Sequence, residues 1–372
     1  LALYAFHFFK ENSDRNYDTD IFNALSLTAE SNTLIRSPEG HTAAVRKAVF
    51  APDGNEFASI SNDRSLRIFN KKGERTELYD FSEHSEKQKI GFPTCISYAP
   101  GSEYLAVGDD KGNIIIKNRK QSKEKEGLVI KTHNAAVKDI IFINDLAFIT
   151  VGNDGRLMLN ENFTQQSVPK VIHSAGKALN AIAKNEAGNR IAVSSQNNSI
   201  WIFSASNISR IKKIDTGENT IQSLSWGKGD ELFAGTDKGK ILILKNDSIS
   251  KEFYAHASAI NSIIFDKQAE QLYTCSYDKT IKIWDYDNYD YETIINHDHS
   301  WVLSLDFSKD AKQLLAAYED KSVELIDIDI NKLKNKTLEK VQGELSPARW
   351  NRFIGDDIKQ ENNLLRNLFD SN

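Results

Sequence analysis

The chain has 372 residues, a formal net charge of -5 and 27% charged residues, with both signs mixed along its length. That balance argues against a general binder of phosphate backbones, so nucleic acid is not an expected partner. Its two cysteines, Cys95 and Cys275, form no CxxC pair, so neither a disulfide framework nor a cysteine zinc site is expected, and a reducing cytoplasm fits. There is no apolar run of the about 18 residues that a bilayer-spanning helix needs, and no membrane contact by this segment is expected.

In chain order, residues 1–30 read as a flank of two short helices. Leu1, Tyr4, Ala5, Phe8 and Phe9 are spaced for one apolar face, and Asp18 or Asp20 is placed to cap a second helix through Ile21, Ala24 and Leu25. The chain opens at Leu1, not Met, inside the first helical pattern, so the natural protein is expected to extend further toward its N-terminus.

From residue 31 to 330 a unit recurs at roughly 40 to 47 residues, the period of propeller blades. Each copy is marked by an Asp or Asn in a tight turn: Asp63, Asp110, Asp154, Asn197, Asp237, Asp278 and Asp320. Three or four positions later an aliphatic residue opens a short apolar strand: Leu66, Ile114, Leu157, Ile200, Ile241, Ile281 and Val323. Two more strands precede each marker, as in Val45 to Phe50 with Glu56 to Ser61, and Ile260 to Phe265 with Gln271 to Ser276. A fourth is expected in the polar stretch that follows, such as Arg75 to Phe81 or Ser250 to Tyr254. Four antiparallel strands make a blade.

The connections Pro52-Asp53-Gly54, Pro100-Gly101 and Ala187-Gly188-Asn189 are too short for a crossover helix, which disfavours a parallel α/β fold. Seven copies in one register favour an all-β, seven-bladed propeller over a sandwich, because radial repetition protects strand edges. Residues 331–372 read as a helical tail, with Ser346-Pro347 starting a helix that runs through Trp350 and Phe353 and stops at Gly355.

The copy containing His256, Thr274, Asp278 and Trp284-Asp285 resembles the WD-repeat family. In that family His, Ser or Thr, Asp and Trp form a buried tetrad that locks a blade, and the resemblance implies this role for His256, Thr274, Asp278 and Trp284. Blade 1 repeats the pattern with Gly40-His41, Ser59 and Asp63, but has Phe69-Asn70 where Trp-Asp would stand. Blade 3 keeps His133, Thr150 and Asp154, with Leu159 read at the Trp position. Blades 2, 4, 5 and 7 depart further: His84, His173 and His297 are assigned to three of them, and Gly217 to Thr220 takes the turn of blade 5. Blade 7 offers three clear strands, Trp301 to Phe307, Gln313 to Ala317 and Val323 to Ile326. Asn32 to Ser37 stands where the family supplies the outer strand of the last blade, which would couple the ends of the array. Through Tyr4-Ala5 with Phe8, Asp20-Ile21-Phe22-Asn23-Ala24-Leu25, and Leu345-Ser346-Pro347 with Trp350 and Phe353-Ile354-Gly355, both flanks resemble those of bacterial proteins in which a STAND-type signalling NTPase precedes a WD-repeat sensor. That resemblance implies a sensor or scaffold region, with the NTPase domain itself as one occupant; a free-standing assembly scaffold is the alternative.

No catalytic constellation, cofactor or metal is expected. The form GxxxxGK[ST] is absent, and Trp226 to Asp230 and Gly235 to Gly239 lack its spacing. No GxSxG or HExxH occurs. Five of the eight histidines, His41, His84, His133, His173 and His256, are read at the position before a first strand. His297-Asp298-His299 is a local cluster without further ligands. Lys117 to Lys125 is interrupted by Glu124 and reads as a solvated loop.

Function is therefore expected from binding. In the family, loops before the first strand of each blade and turns carrying the Asp marker share the narrow face. By register the first set is Ala44, Phe92, Ala136, Ala178, Thr220, Ala259 and Trp301, and the second includes Asn62, Asn153, Gln196, Tyr277 and Glu319. Phe92 and Trp301 stand out among small residues, and exposed aromatics at a rim are candidate anchors for a protein partner.

Overall fold

A computed structural model describes residues 2, 5, 21, 24, 25, 33–35, 40–83, 90–120, 127–165, 167–206, 209–286, 289, 291–296 and 300–341. The chain divides into two units, residues 32–328 and a second formed by 1–31 with 329–372. The first is a β-propeller of seven four-stranded antiparallel sheets, six of them made of strands consecutive in sequence. The seventh is closed by Thr33–Ile35, which pairs with Val323–Asp327 in the register Thr33 to Leu325 and Ile35 to Val323.

Burial explains why the strands look as they do in sequence. The second and third strands of a blade, such as Glu56–Ser61 and Ser65–Asn70, are covered on both faces by neighbouring blades and read as nearly continuous buried runs. The outer strand Arg75–Asp80 has one face open and alternates. Core clusters form at the seams. Val45, Phe57 and Phe69 of blade 1 pack with Leu315, Val323 and Leu325 of blade 7, and Phe233 and Ile243 of blade 5 pack with Ile263 and Phe265 of blade 6.

The innermost strands are Val45–Phe50, Pro93–Tyr98, Val137–Phe142, Leu179–Lys184, Ile221–Trp226, Ile260–Asp266 and Val302–Phe307. Each shifts register just after its first residue. A bulge takes a backbone group out of the ladder, and in four blades the preceding blade supplies a side-chain partner for the carbonyl there. Thr94 Oγ1 donates to Val137 O at 2.6 Å, Asn180 Nδ2 to Ile221 O at 3.0 Å, Ser223 Oγ to Ile260 O at 3.0 Å and Asn261 Nδ2 to Val302 O at 2.8 Å. The ring is stitched elsewhere by Phe50 N donating to Asp306 at 2.7 Å and by Ile182 N donating to Asp139 at 3.2 Å.

Pairing register corrects four sequence assignments. His173 is not before a first strand: it lies in the outer strand Lys170–Ser174 of blade 3, opposite Leu157, with its ring 4.5 Å from that of Trp201. Asp110 and Asp237 are one place too early to be the turn carboxylate, because Pro93 pairs with Asp109 and Ile221 with Thr236, as Val45 pairs with Ser61. Asn160, not Leu159, occupies the Trp position of blade 3: Phe148 faces Asn160 as Leu272 faces Trp284. In each case a similar residue lay one or two places away, and only the ladder could choose. His84, His297, Asp298, His299 and the helix expected at Ser346 to Gly355 lie outside the described residues.

The Lys117 to Lys125 stretch begins within a blade. Lys117 is buried with its ammonium over the Tyr79 ring, and Arg119 bridges to Glu56 and Glu77 of blade 1. In the second unit, Ile21, Ala24 and Leu25 have helical backbone. The helix Ile330–Val341 is capped by Asp329, which accepts from Asn331 N and Lys332 N, and buries Leu333 and Thr337 on one face. Among the described residues no helix is long and apolar enough to cross a membrane.

Candidate protein-binding face

One hydrogen bond recurs in all seven blades and fixes the rim. The amide just after the second strand donates to the carbonyl just before the first: Asn62 to Ala44, Asp110 to Phe92, Asn153 to Ala136, Gln196 to Ala178, Asp237 to Thr220, Tyr277 to Ala259 and Glu319 to Trp301, at 2.8–3.3 Å. The two sets of positions read from the sequence thus stand side by side on one face, and Asp110 and Asp237 complete the second set. Phe92 is 45% exposed, Trp301 47% and Tyr277 40%. The Tyr277 and Trp301 rings meet edge to face at 5.3 Å, and the Arg64 guanidinium lies 5.3 Å from the Phe92 ring. All three aromatics fall within the contiguous blades 6, 7, 1 and 2. Asn153, Gln196 and Glu319 are exposed and Asn62 is half-buried, accepting at 2.7 Å from Arg46 Nε.

Beneath this rim, buried relays hold the turns. In blade 6 His256 Nδ1 is 2.8 Å from Asp278, His256 Nε2 is 2.7 Å from Thr274 Oγ1, and Trp284 Nε1 donates to Thr274 Oγ1 at 2.8 Å. Burial lowers the His256 pKa, against the opposing pull of Asp278, so the ring is neutral at pH 7. Since the carboxylate requires a donor, Nδ1 carries the proton and Nε2 accepts from Thr274. Asp278 also accepts from Ala257 N and from Thr280. Burial alone would raise its pKa, but the hydrogen bond from His256, with those of Thr280 and Ala257 N, holds it well below the usual carboxylate range.

Blade 1 repeats the relay through His41, Asp63 at 3.0 Å and Ser59 at 2.7 Å, with Phe69 stacked on Phe57 in place of the indole. Blade 3 joins His133 to Asp154 and Thr150, both at 2.8 Å. In blade 2 the buried carboxylate is Asp109, which accepts from Gly91 N, Lys111 N and Asn113 N. A Cβ on Gly91 would fall 1.7 Å from Asp110 Oδ1, so a larger residue there would push the Asp110 carboxylate off Phe92 N, its partner at 3.0 Å.

The inner strands surround a central channel of about 430 Å³. Lys47 of blade 1 reaches past Cys95 of blade 2 to Asp139 of blade 3, with Nζ 2.9 Å from Oδ1. Enclosure works against the Lys47 charge, but Asp139 outweighs it and keeps the pKa above its ordinary value. Burial pushes the Cys95 thiol up to about 12 and Asp306 up to about 6. The sequence reading missed this set, because its members are joined across blades; the signal was their place in the first strands, third for Lys47, Cys95 and Asp139 and fifth for Asp306.

Comparison with known proteins fits these features. The family described as "WD domain, G-beta repeat" matches residues 32–70, 247–285 and 291–327, each stretch running from an outer strand through the three inner strands of the next blade. The chain is 24% identical over 274 residues to Pre-mRNA-processing factor 17 of Homo sapiens, covering 68% of this chain and 44% of that protein. It is 21% identical over 261 residues to WD repeat-containing protein 55 homolog of Dictyostelium discoideum, covering 68% and 61%. Over 156 residues it is 27% identical to COMPASS component SWD2 of Saccharomyces cerevisiae, covering 41% and 45%. The chain thus spans about half the length of these relatives. Fold and repeats together define a seven-bladed WD-repeat β-propeller.

Proposed function

We propose that the propeller is a non-catalytic scaffold that binds a protein partner on its narrow face, with Phe92, Trp301 and Tyr277 as apolar anchors and Asn62, Asn153, Gln196 and Glu319 as polar surroundings. The observation that carries this is the gathering of three exposed aromatics onto blades 6, 7, 1 and 2, where the other pre-strand rim positions are Ala or Thr. Large rings left about half open to water are what interface anchors look like before the partner arrives. A reducing compartment such as the cytoplasm suits the free, buried Cys95 and Cys275.

Within that reading, the flanking motifs support a sensor or scaffold region of a larger bacterial signalling NTPase, whose own domain is one candidate occupant of the face. The free-standing scaffold is the alternative. A Walker motif encoded in frame upstream of Leu1 supports the first, and a start codon directly before Leu1 removes it. The binding face is tested by partner capture from lysate with wild type and a Phe92→Ala, Trp301→Ala double variant of unchanged melting temperature. Specific capture lost in the variant is expected; unchanged capture moves the interface to another surface.

A further inference from the structure

The narrow-face mouth of the channel is ringed by the second residue of each first strand. These include two cations, Arg46 and Lys138, and three amides, Asn180, Gln222 and Asn261. Thr94 and Leu303 complete the ring, so it contains no carboxylate. Arg46 and Lys138 are exposed. Arg46 gives its Nε to Asn62, and no hydrogen bond or ion pair reaches the Lys138 ammonium among the described residues. Asn180 and Asn261 each commit one N–H to a carbonyl of the next blade, and a primary amide has two. The nearest channel carboxylate, Asp139, stands one residue deeper and is already paired with Lys47, while Asp306 lies farther along the channel. Two like charges held over a water-accessible cavity, with no acidic residue in their own ring, attract an anion.

We propose that this mouth receives a carboxylate side chain of the protein partner: an acidic peptide segment whose Asp or Glu sits between Arg46 and Lys138 while an apolar residue beside it rests on the Trp301–Tyr277 pair. Arg46 joins the two subsites, since its hydrogen bond to Asn62 ties the channel mouth to the rim. A guanidinium on blade 1 and an ammonium two blades on, on blade 3, both free of a carboxylate partner in their own ring, favour an acidic side chain presented end-on. The inference rests on the narrow-face reading above, and its test separates the two.

The test is selection of a phage-displayed library of random short peptides on the full chain, followed by affinities for Arg46→Glu, Lys138→Glu, the Phe92→Ala, Trp301→Ala pair, and Lys177→Glu on blade 4 as control. Melting temperatures establish that each variant folds. Enriched peptides are expected to pair an acidic residue with an aromatic or aliphatic one. Arg46→Glu and Lys138→Glu should each weaken them about tenfold, Lys177→Glu should leave them unchanged, and added salt should weaken wild-type binding. Peptides that lose binding in the aromatic variant but not in either charge reversal overturn this inference and leave the narrow-face reading standing. Peptides indifferent to both sets, or a selection that enriches nothing above bare support, overturn both.

Discussion

Blades 5 and 6 are neighbours with the same strand order and the same bulge at the head of the inner strand, yet they hold their turns by different chemistry. Blade 6 uses a relay of four side chains drawn from separate strands and loops, ending in a buried indole. Blade 5 has no histidine there. Thr216 Oγ1 and Asn219 tie the loop to itself at 2.7 and 2.9 Å, Thr236 accepts Lys240 N at 2.8 Å, and Leu244 fills the place of Trp284. The blade itself therefore comes from burial at the seams, which both share, while the relay adds a bond between distant parts of one blade. Local caps substitute for it where the loop closes on itself.

The strongest way to break that comparison is Trp284→Ala, which removes a fully buried ring and leaves the Thr274 hydroxyl one donor short. A loss of about 3–5 kcal/mol is expected by urea denaturation, and a loss under about 1 kcal/mol would make the indole dispensable. Next comes Thr274→Val, which preserves shape but strands two buried partners, His256 Nε2 and Trp284 Nε1. About 1–3 kcal/mol is expected, against less for Thr236→Val in blade 5, whose hydroxyl serves one backbone amide. Equal losses would mean that the relay is no more than a local cap.

The smallest effect is a pH slope. Burial lowers the pKa of His41, His133 and His256, so the folded chain keeps them neutral while the unfolded chain takes up protons below the ordinary 6.5. Their contribution is present above that pH and lost as it falls. Asp278 and Asp63, held well below 3.8, contribute loss only at lower pH, and Asp306, raised to about 6, works in the opposite direction as the pH falls below 6. Unfolding free energy should drop from pH 7 to 5, less steeply in His256→Gln and unchanged in slope in Thr236→Val.

Much of this was legible in the sequence, for a physical reason. A hairpin fixes the distance between strands, so His41, His133 and His256 could be matched to Ser59, Thr150 and Thr274 by counting. Closure by the segment around Thr33–Ile35 was legible because blade 7 was one strand short. Counting failed where two candidates were adjacent, as with Asp109 and Asp110, or where a histidine fell two places off, as with His173. Contacts between blades left no local mark: Lys47 and Asp139 are ordinary surface residues in their own strands, and only the ring brings them together.

Closing the ring with Thr33–Ile35 also sets an order of events. This segment is synthesised before all seven innermost strands, yet its partner Val323–Asp327 is nearly the last part of the array to leave the ribosome. Six blades can form from neighbouring hairpins as they emerge, while the seventh must wait for its outer strand to return from the other end of the chain. Among the strand pairings it is the longest in sequence, the kind of non-local contact that slows folding, and until it forms the nascent ring carries a bare strand edge open to pairing with another copy.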